Sequence, residues 1–284
     1  MRLGVMTTVL ARPTIEEVAA AVREAGLEAV QLNLEVAGLE ALPAQLDEAA
    51  CARIRAAFEA HQLEISAVSG TFNAIHPDRA YREECIRRVG VLASRCALLG
   101  TEVITLCTGT RNVESMWRYH PENATPEAWA ELVETMRRLI DYAEANSVTM
   151  AFEPEVVNVV DTAEKAERLI DEVGSNRLAV VMDPANYFHP HTLDRMQEVL
   201  ADVFARVGEF IVLAHAKDVR GPEPGGRECI RPAAGNGVLD YPSYLRLLRD
   251  SGYDGALILH SLEEHEVPRS RDYLRRHLAA IGWD

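Results

Sequence analysis

The sequence predicts a single-domain (β/α)8 barrel, an α/β fold, and three observations support this prediction. Short apolar runs rich in β-branched residues alternate with longer segments of helical periodicity, and this alternation occurs eight times along the 284 residues. A hydrophobic content of 48% can fill a large core, and α/β barrels of this length commonly form one domain. No linker or low-complexity tract divides the chain. We therefore expect one TIM-barrel domain that spans residues 1–284.

The predicted strands and helices follow the apolar pattern and the residues typical of helix ends. The predicted strands occupy residues 3–7, 29–34, 64–68, 103–107, 149–153, 179–183, 210–216 and 256–260. The predicted helices occupy residues 15–25, 44–61, 81–99, 126–146, 162–173, 193–206, 242–251 and 269–280. Gly26 and Gly100 lie just past predicted helix ends, and Thr125 precedes a helix that begins with Pro126. An open doubly wound sheet is the alternative, but the segment after the first strand lacks its glycine-rich turn.

The composition argues against several classes of protein. A net charge of −15 disfavours binding to a phosphate backbone, because that affinity comes largely from basic residues, so we expect no nucleic-acid partner. Five widely spaced cysteines without a C-x-x-C pair indicate neither a disulfide framework nor a cysteine zinc site. The sequence shows no signal peptide and no apolar run long enough to span a membrane. We expect a cytoplasmic protein without a membrane partner.

Polar side chains end four consecutive predicted strands. Glu153 ends strand five, Asp183 ends strand six, His215 lies near the end of strand seven and His260 ends strand eight. The carboxyl ends of barrel strands meet at one face, where the active sites of such barrels lie. Carboxylates and imidazoles that meet there suit a divalent metal such as manganese, cobalt, magnesium or zinc. Taken singly, each acid could cap a helix and each histidine could be a core residue.

These strand ends belong to motifs that resemble a known family. The motifs are E-P at residues 153–154, D-P-A-N at 183–186, H-x-K-D at 215–218 and G-x-G-V-L-D-Y at 235–241. Together they resemble the xylose-isomerase-like barrel superfamily of sugar phosphate isomerases and epimerases. The resemblance implies that Glu153, Asp183 and His215 hold a divalent metal. It also implies a homodimer or homotetramer.

Strand eight departs from the family pattern. The fourth ligand in the family is usually a glutamate at the end of this strand, often also an acid/base group, whereas this chain has His260. Because side chains alternate along a strand, Ala256, Ile258 and His260 are predicted to face the barrel interior. His260 is therefore predicted to be the fourth ligand. Glu264, beyond the strand, is the candidate for the missing acid/base group if its loop folds over the barrel mouth.

Further polar residues are candidates to line the same mouth. Asn186 could hydrogen-bond a substrate hydroxyl or serve as a turn residue. Lys217 could steady an enolate or carboxylate, or pair with Asp218 or another nearby acid. His76, after strand three, is a candidate substrate contact or an ordinary loop residue. Arg111 and Trp117, in the long loop after strand four, suit a polyol, although a packed loop or a dimer contact is the alternative.

Two other sequence features have a structural interpretation beside a functional one. Gly235 and Gly237, in the long loop at 219–241, could cradle a phosphate or simply form a turn. Cys107 is interpreted as a core residue, because no sequence feature supplies it with a base.

The sequence thus favours a metal-dependent isomerase or epimerase that acts on a small sugar, sugar phosphate or polyol ketone. The metal would hold the carbonyl and adjacent hydroxyl oxygens and lower the energy of an enediolate, with Glu153 as ligand and leading base and with Lys217 and Glu264 as further catalytic candidates. A dehydratase shares this first step, and a non-catalytic barrel that binds a sugar or metal is a second alternative. A DNA repair endonuclease of the same superfamily would need more histidine ligands and a basic groove.

Overall fold

The computed structural model describes residues 1–226 and 228–283 and shows one closed barrel. Its strands are parallel and pair in sequence order, and β8 pairs with β1 to close the sheet. The strands are β1 (Arg2–Met6), β2 (Ala29–Leu32), β3 (Glu64–Ser69), β4 (Val103–Cys107), β5 (Thr149–Glu153), β6 (Leu178–Met182), β7 (Ile211–Ala216) and β8 (Ala256–Leu259). The predicted (β/α)8 fold is therefore confirmed, and the open sheet is excluded.

The helices surround the barrel, as the alternation of elements predicted. They are α1 (Ile15–Glu24), α2 (Glu48–Ala60), α3 (Arg79–Ala93), α4 (Cys96–Leu99), α5 (Pro126–Asn146), α6 (Ala163–Val173), α7 (Met196–Val207), α8 (Tyr241–Asp250) and α9 (Val267–Ala280). The predicted second helix begins four residues late, because Asp47 caps it by accepting a hydrogen bond from the amide of Ala49. The predicted third helix is broken after Ala93 into α3 and α4.

The barrel interior is filled mainly by small and branched side chains, and the larger core lies between the sheet and the helices. The interior cluster contains Ala29, Ala67, Ala151, Ala179, Val181, Leu213, Ala256 and Ile258. Leu257 and Leu259 belong instead to the outer core. The register of β8 is therefore the one that its alternation predicted. At Gly4 a Cβ atom would collide with the carbonyl of Ala29 and with Ile258, so β1 requires glycine there.

Two further features concern the chain as a whole. The five cysteines are all buried and free. Within residues 1–226 and 228–283, no helix combines the length and the apolar content that crossing a membrane requires.

Candidate metal centre and active site

Four side chains from consecutive strands meet at the carboxyl-terminal face of the barrel. Glu153 is the last residue of β5, Asp183 directly follows β6, His215 lies in β7 and His260 directly follows β8. One ligand atom from each residue can be chosen so that all four atoms lie within 4.8 Å of one another. We refer to these four residues as the strand-end cluster.

The geometry of the strand-end cluster fits a divalent ion. Oxygen and nitrogen ligands lie about 2.1 Å from such an ion, so two ligands of one ion are at most about 4.2 Å apart. The cluster therefore needs side-chain shifts of only a few tenths of an ångström. The Nδ1 atoms of His215 and His260 are buried and have no hydrogen-bond partner among the described residues. Two unpartnered nitrogens beside two carboxylates are a suitable set of donors for a metal.

The ring of His215 is oriented by a residue of β2. His215 Nε2 lies 2.8 Å from Gln31 Oε1, and Gln31 Nε2 donates in turn to Thr105 Oγ1 at 3.2 Å. Because Gln31 Oε1 can only accept, His215 Nε2 must carry the proton in this arrangement, and the lone pair of a neutral ring lies on Nδ1. The hydrogen bond to Gln31 fixes both the tautomer of His215 and the direction of Nδ1, its candidate ligand atom.

The carboxylates of the cluster are held in a similar way. Glu153 Oε1 accepts a hydrogen bond from Asn186 Nδ2 at 2.9 Å, and the same nitrogen donates to the carbonyl of Pro154 at 3.1 Å. Asp183 Oδ1 accepts from the amide of Ala185 at 3.0 Å, which starts a short 3-10 helix. Asn186 is buried and orients Glu153. Tyr244 supports β7 from α8, because its hydroxyl donates to the carbonyl of His215 at 3.1 Å.

Lys217 is buried beside the strand-end cluster. Its Nζ lies 2.7 Å from Asp183 Oδ2 and 3.8 Å from Glu155 Oε1. Of the two sequence interpretations, this geometry matches an ion pair with a nearby acid, and that acid is Asp183. Burial raises the pKa of Asp183, but the positive charges of Lys217 and His215 outweigh it and hold the pKa well below its usual value.

The two histidines differ in their electrostatic surroundings. Burial lowers the pKa of His215, but the charges of Glu153 and Asp183 outweigh it and raise the pKa to about 9. For His260, burial lowers the pKa and the positive charges of Lys217 and His215 add to that effect, so its pKa falls below the usual value. Burial also raises the pKa of Glu153, yet the charges of His215 and Lys217 lower it overall. Both carboxylates of the cluster are thus kept ionised.

A cavity of about 600 Å³ opens above the strand-end cluster. Three of the four cluster residues line it, namely Glu153, His215 and His260, and Lys217 does so too. It is also lined by residues that the sequence interpretation did not single out, among them Gln31, Asn33, Ser69, Thr71, Glu155 and Arg231. A cavity of this size accommodates a small-molecule substrate.

Of the cavity residues that the sequence interpretation did not single out, Glu155 bears most on the chemistry. Its side chain lies in the cavity, two residues after the ligand candidate Glu153. Burial raises the pKa of Glu155 to about 7, with further contributions from the charges of Glu153 and Asp183 and an opposing one from Lys217.

The long loop between β7 and α8 is built around the carboxylate of Asp218. Its oxygens accept hydrogen bonds from the amides of Val219, Gly235 and Leu239 at 2.8 to 2.9 Å. A Cβ atom at Gly237 would collide with the same carboxylate. The carboxylate of Asp218 therefore occupies the glycine-rich turn that the sequence offers as a phosphate site.

The remaining predicted substrate contacts have different positions. Trp117 lines the cavity and is 52% exposed. Arg111 forms an ion pair with Glu131 at 2.8 Å and does not line the cavity. His76 Nδ1 accepts a hydrogen bond from the amide of Asp78 before α3, again outside the cavity.

Glu264 also lies outside the cavity. Its carboxylate is exposed and forms a bidentate ion pair with Arg12, with distances of 2.5 and 3.0 Å. The loop after β8 does not fold over the barrel mouth in the way that a catalytic role for Glu264 would need. Cys107 lines the cavity, and burial raises the pKa of its thiol well above the usual value, so the thiol stays protonated.

Some of the missed residues carried a sequence signal. In β2, Ala29 faces the barrel interior, so the polar residue two positions later, Gln31, had to face it as well. Glu155 and Arg231 lie in loops after strands, where alternation gives no orientation.

Comparison with known proteins identifies relatives of this architecture. A family model described as "Xylose isomerase-like TIM barrel" matches residues 19–277. No curated protein matches the sequence significantly.

Solved structures resemble the chain closely in fold. A 3-keto-D-glucoside 4-epimerase from E. coli has a TM-score of 0.74 at 16% identity, covering 97% of this chain and 99% of that one. The IOLI protein with a bound zinc atom has a TM-score of 0.70 at 17% identity, covering 99% and 98%. A xylose isomerase-like protein from Mycobacterium smegmatis in complex with magnesium has a TM-score of 0.72 at 16% identity, covering 98% and 97%. At these identities the likeness shows the fold alone.

Proposed function

Because the chain belongs to the xylose isomerase-like TIM barrel family, we propose that it is a divalent-metal-dependent isomerase or epimerase. Its substrate in this proposal is a small sugar, sugar phosphate or polyol ketone, and the reaction passes through an enediolate. The observation that supports the proposal is the strand-end cluster at a cavity of about 600 Å³. The similar structures include a 3-keto-D-glucoside 4-epimerase.

The strand-end cluster would hold the ion, with Glu153, Asp183, His215 and His260 as ligands. A divalent ion at this position would act as a Lewis acid on a substrate carbonyl and so make the neighbouring C–H more acidic. Zinc and magnesium occur in similar structures, and manganese and cobalt suit the same donors.

The proton transfers are assigned to glutamates that line the cavity. Glu153 is the proposed base, oriented by the hydrogen bond from Asn186. For the second acid/base group we propose Glu155 in place of Glu264, because Glu155 lies in the cavity and Glu264 is paired with Arg12 outside it. Lys217 keeps Asp183 ionised and offers a positive charge at the cavity wall.

Three alternatives share parts of this site. A dehydratase would form the same enediolate and then expel a hydroxyl group. A non-catalytic barrel would bind the metal and a polyol without proton transfer. An endonuclease would need a zinc cluster, and the residues described contain one four-ligand group with atoms suited to a single ion. A cytosolic location, a small-molecule partner and a dimer or tetramer remain predictions from the sequence.

Proton exchange in heavy water tests the proposal. The metal-loaded protein is incubated with a panel of ketoses, ketose phosphates and inosose-like compounds, and NMR follows deuterium incorporation. We expect incorporation at one carbon next to a carbonyl, and we expect Glu153→Gln to abolish it. If the protein binds members of the panel without incorporating deuterium into any of them, the non-catalytic alternative holds.

A further inference from the structure

Arg231 lines the same cavity from the loop between β7 and α8. One of its terminal nitrogens, Nη1, donates to the carbonyl of Cys229 at 3.3 Å. Its Nε is buried and has no hydrogen-bond partner within the described part of the chain. A buried donor without a partner is unfavourable, so this N–H indicates a missing acceptor.

The unused edge of the guanidinium has a specific shape. Nη1 lies on the Cδ side of the group, so Nε–H and the nearer N–H of Nη2 point the same way as a two-pronged donor. This prong geometry matches the two oxygens of a carboxylate or of a phosphate. Among the described residues, no acidic side chain lies within 4.0 Å of Arg231. The buried Nε edge therefore lacks an acceptor, which an anionic ligand of the cavity would supply.

The other charges of the cavity favour a carboxylate over a phosphate as the anionic group. Lys217 is already paired with Asp183 at 2.7 Å. Glu155 and Glu228 also line the cavity, and they would repel a dianion more than a monoanion. The glycine-rich turn that the sequence offers for a phosphate encloses the carboxylate of Asp218, which accepts three amide hydrogen bonds there.

We propose that Arg231 binds a terminal carboxylate of the substrate, so that the substrate class is a keto-polyol acid. The inference rests on the proposed function for the reaction, but the binding contact itself does not depend on turnover. The carbonyl end of the molecule would face the strand-end cluster and the carboxylate would meet the Nε edge of Arg231.

Binding of three six-carbon polyols tests the inference. Gluconate, glucitol and glucitol 6-phosphate present a carboxylate, a neutral hydroxyl and a phosphate at one end of a similar chain. Isothermal titration to the metal-loaded protein should show that gluconate binds about 10- to 100-fold more tightly than glucitol, as expected for charge-assisted hydrogen bonds. Tighter binding of glucitol 6-phosphate than of gluconate would overturn the carboxylate assignment.

Two variants separate Arg231 from other anion contacts. Arg231→Met keeps the apolar stem, and we expect it to bring the affinity for gluconate close to that for glucitol. Arg220→Met is the matched control, because Arg220 lies in the same loop but pairs with Glu223 at 3.0 Å outside the cavity. We expect this control to keep the preference for gluconate, and equal melting temperatures would exclude a folding defect.

The outcomes distinguish this inference from the proposed function. If Arg231→Met retains the preference for gluconate, the carboxylate binds to the ion or to Lys217 and the inference is wrong. Failure of gluconate to bind the wild-type protein would also overturn it. If gluconate binds through Arg231 but no keto-polyol acid exchanges a proton in heavy water, the carboxylate contact stands and the proposed catalysis fails.

Discussion

The two halves of the barrel contribute differently to the cavity. Strands β5 to β8 deliver all four residues of the strand-end cluster and also the buried ammonium of Lys217. The cavity residues that come from β1 to β4 are mostly uncharged, as Gln31, Ser69 and Cys107 illustrate, with Glu35 as an exposed exception. Gln31 nevertheless orients His215 across the barrel. One half of the barrel therefore supplies the charged groups, and the other half shapes the cavity and orients His215.

The largest expected effect comes from the charged half. Replacing both Glu153 and Asp183 by alanine removes the two anionic ligands, so bound metal should fall to background in elemental analysis. Deuterium exchange should disappear with it, while circular dichroism should show a folded barrel. A double variant that retains its full metal content would refute the strand-end cluster as the metal site.

Glu155→Gln should have the next largest effect. Removing an acid/base group typically lowers turnover by about 10²- to 10⁴-fold, and the metal content should stay unchanged because Glu155 is not in the cluster. Glu264→Gln is the matched variant. The sequence predicts that Glu264→Gln reduces turnover with metal retained, whereas the structure leads us to expect turnover within about twofold of wild type for that variant.

A variant in the uncharged half sharpens the comparison. Gln31→Leu removes the acceptor for His215 Nε2, so we expect metal affinity to fall by about 10- to 100-fold, as is typical when the partner of a ligating histidine is lost. Competition with a chelating dye measures this affinity. Ser69→Ala, in the same half, should leave it unchanged because the Ser69 hydroxyl bonds Thr71. Equal affinities for both variants would mean that the first half only shapes the cavity.

The smallest effect is expected at the cavity rim. Trp117→Ala should weaken polyol binding by about 2- to 10-fold, because one partly exposed aromatic contact is lost. Tyr119→Ala is the control, since Tyr119 is 53% exposed and does not line the cavity. Size-exclusion chromatography of both variants tests the alternative that this loop contacts a second subunit. Unchanged binding and unchanged oligomeric state would assign Trp117 a structural role.

The fold and the positions of the four cluster residues could be predicted because both depend on local rules. The alternation of apolar runs and helical segments predicts a barrel of strands surrounded by helices. Parallel strands then bring their carboxyl ends together at one face. Side-chain alternation within β8 then placed Ala256 and Ile258 inside the barrel.

The loops could not be predicted in the same way. Glu264 pairs with Arg12, a residue 252 positions away in the chain, and no local pattern reports such a contact. Asn186 lies in the short 3-10 helix after β6, as its interpretation as a turn residue predicts, but no local pattern reports that its side chain also donates to Glu153 of the neighbouring strand. Loop paths are set by hydrogen bonds and ion pairs between distant segments, which periodicity does not encode.

The closure of the sheet also constrains how the molecule is made. Strand β8 pairs with β1, with Gly4 opposite Ile258, so the ring is complete only after the residues up to Leu259 have left the ribosome. Until then a nascent chain exposes unpaired strand edges, which are sites of aggregation. Because His260 follows β8, the complete strand-end cluster forms in the same step, and a metal ion that binds the cluster would favour closure of the ring.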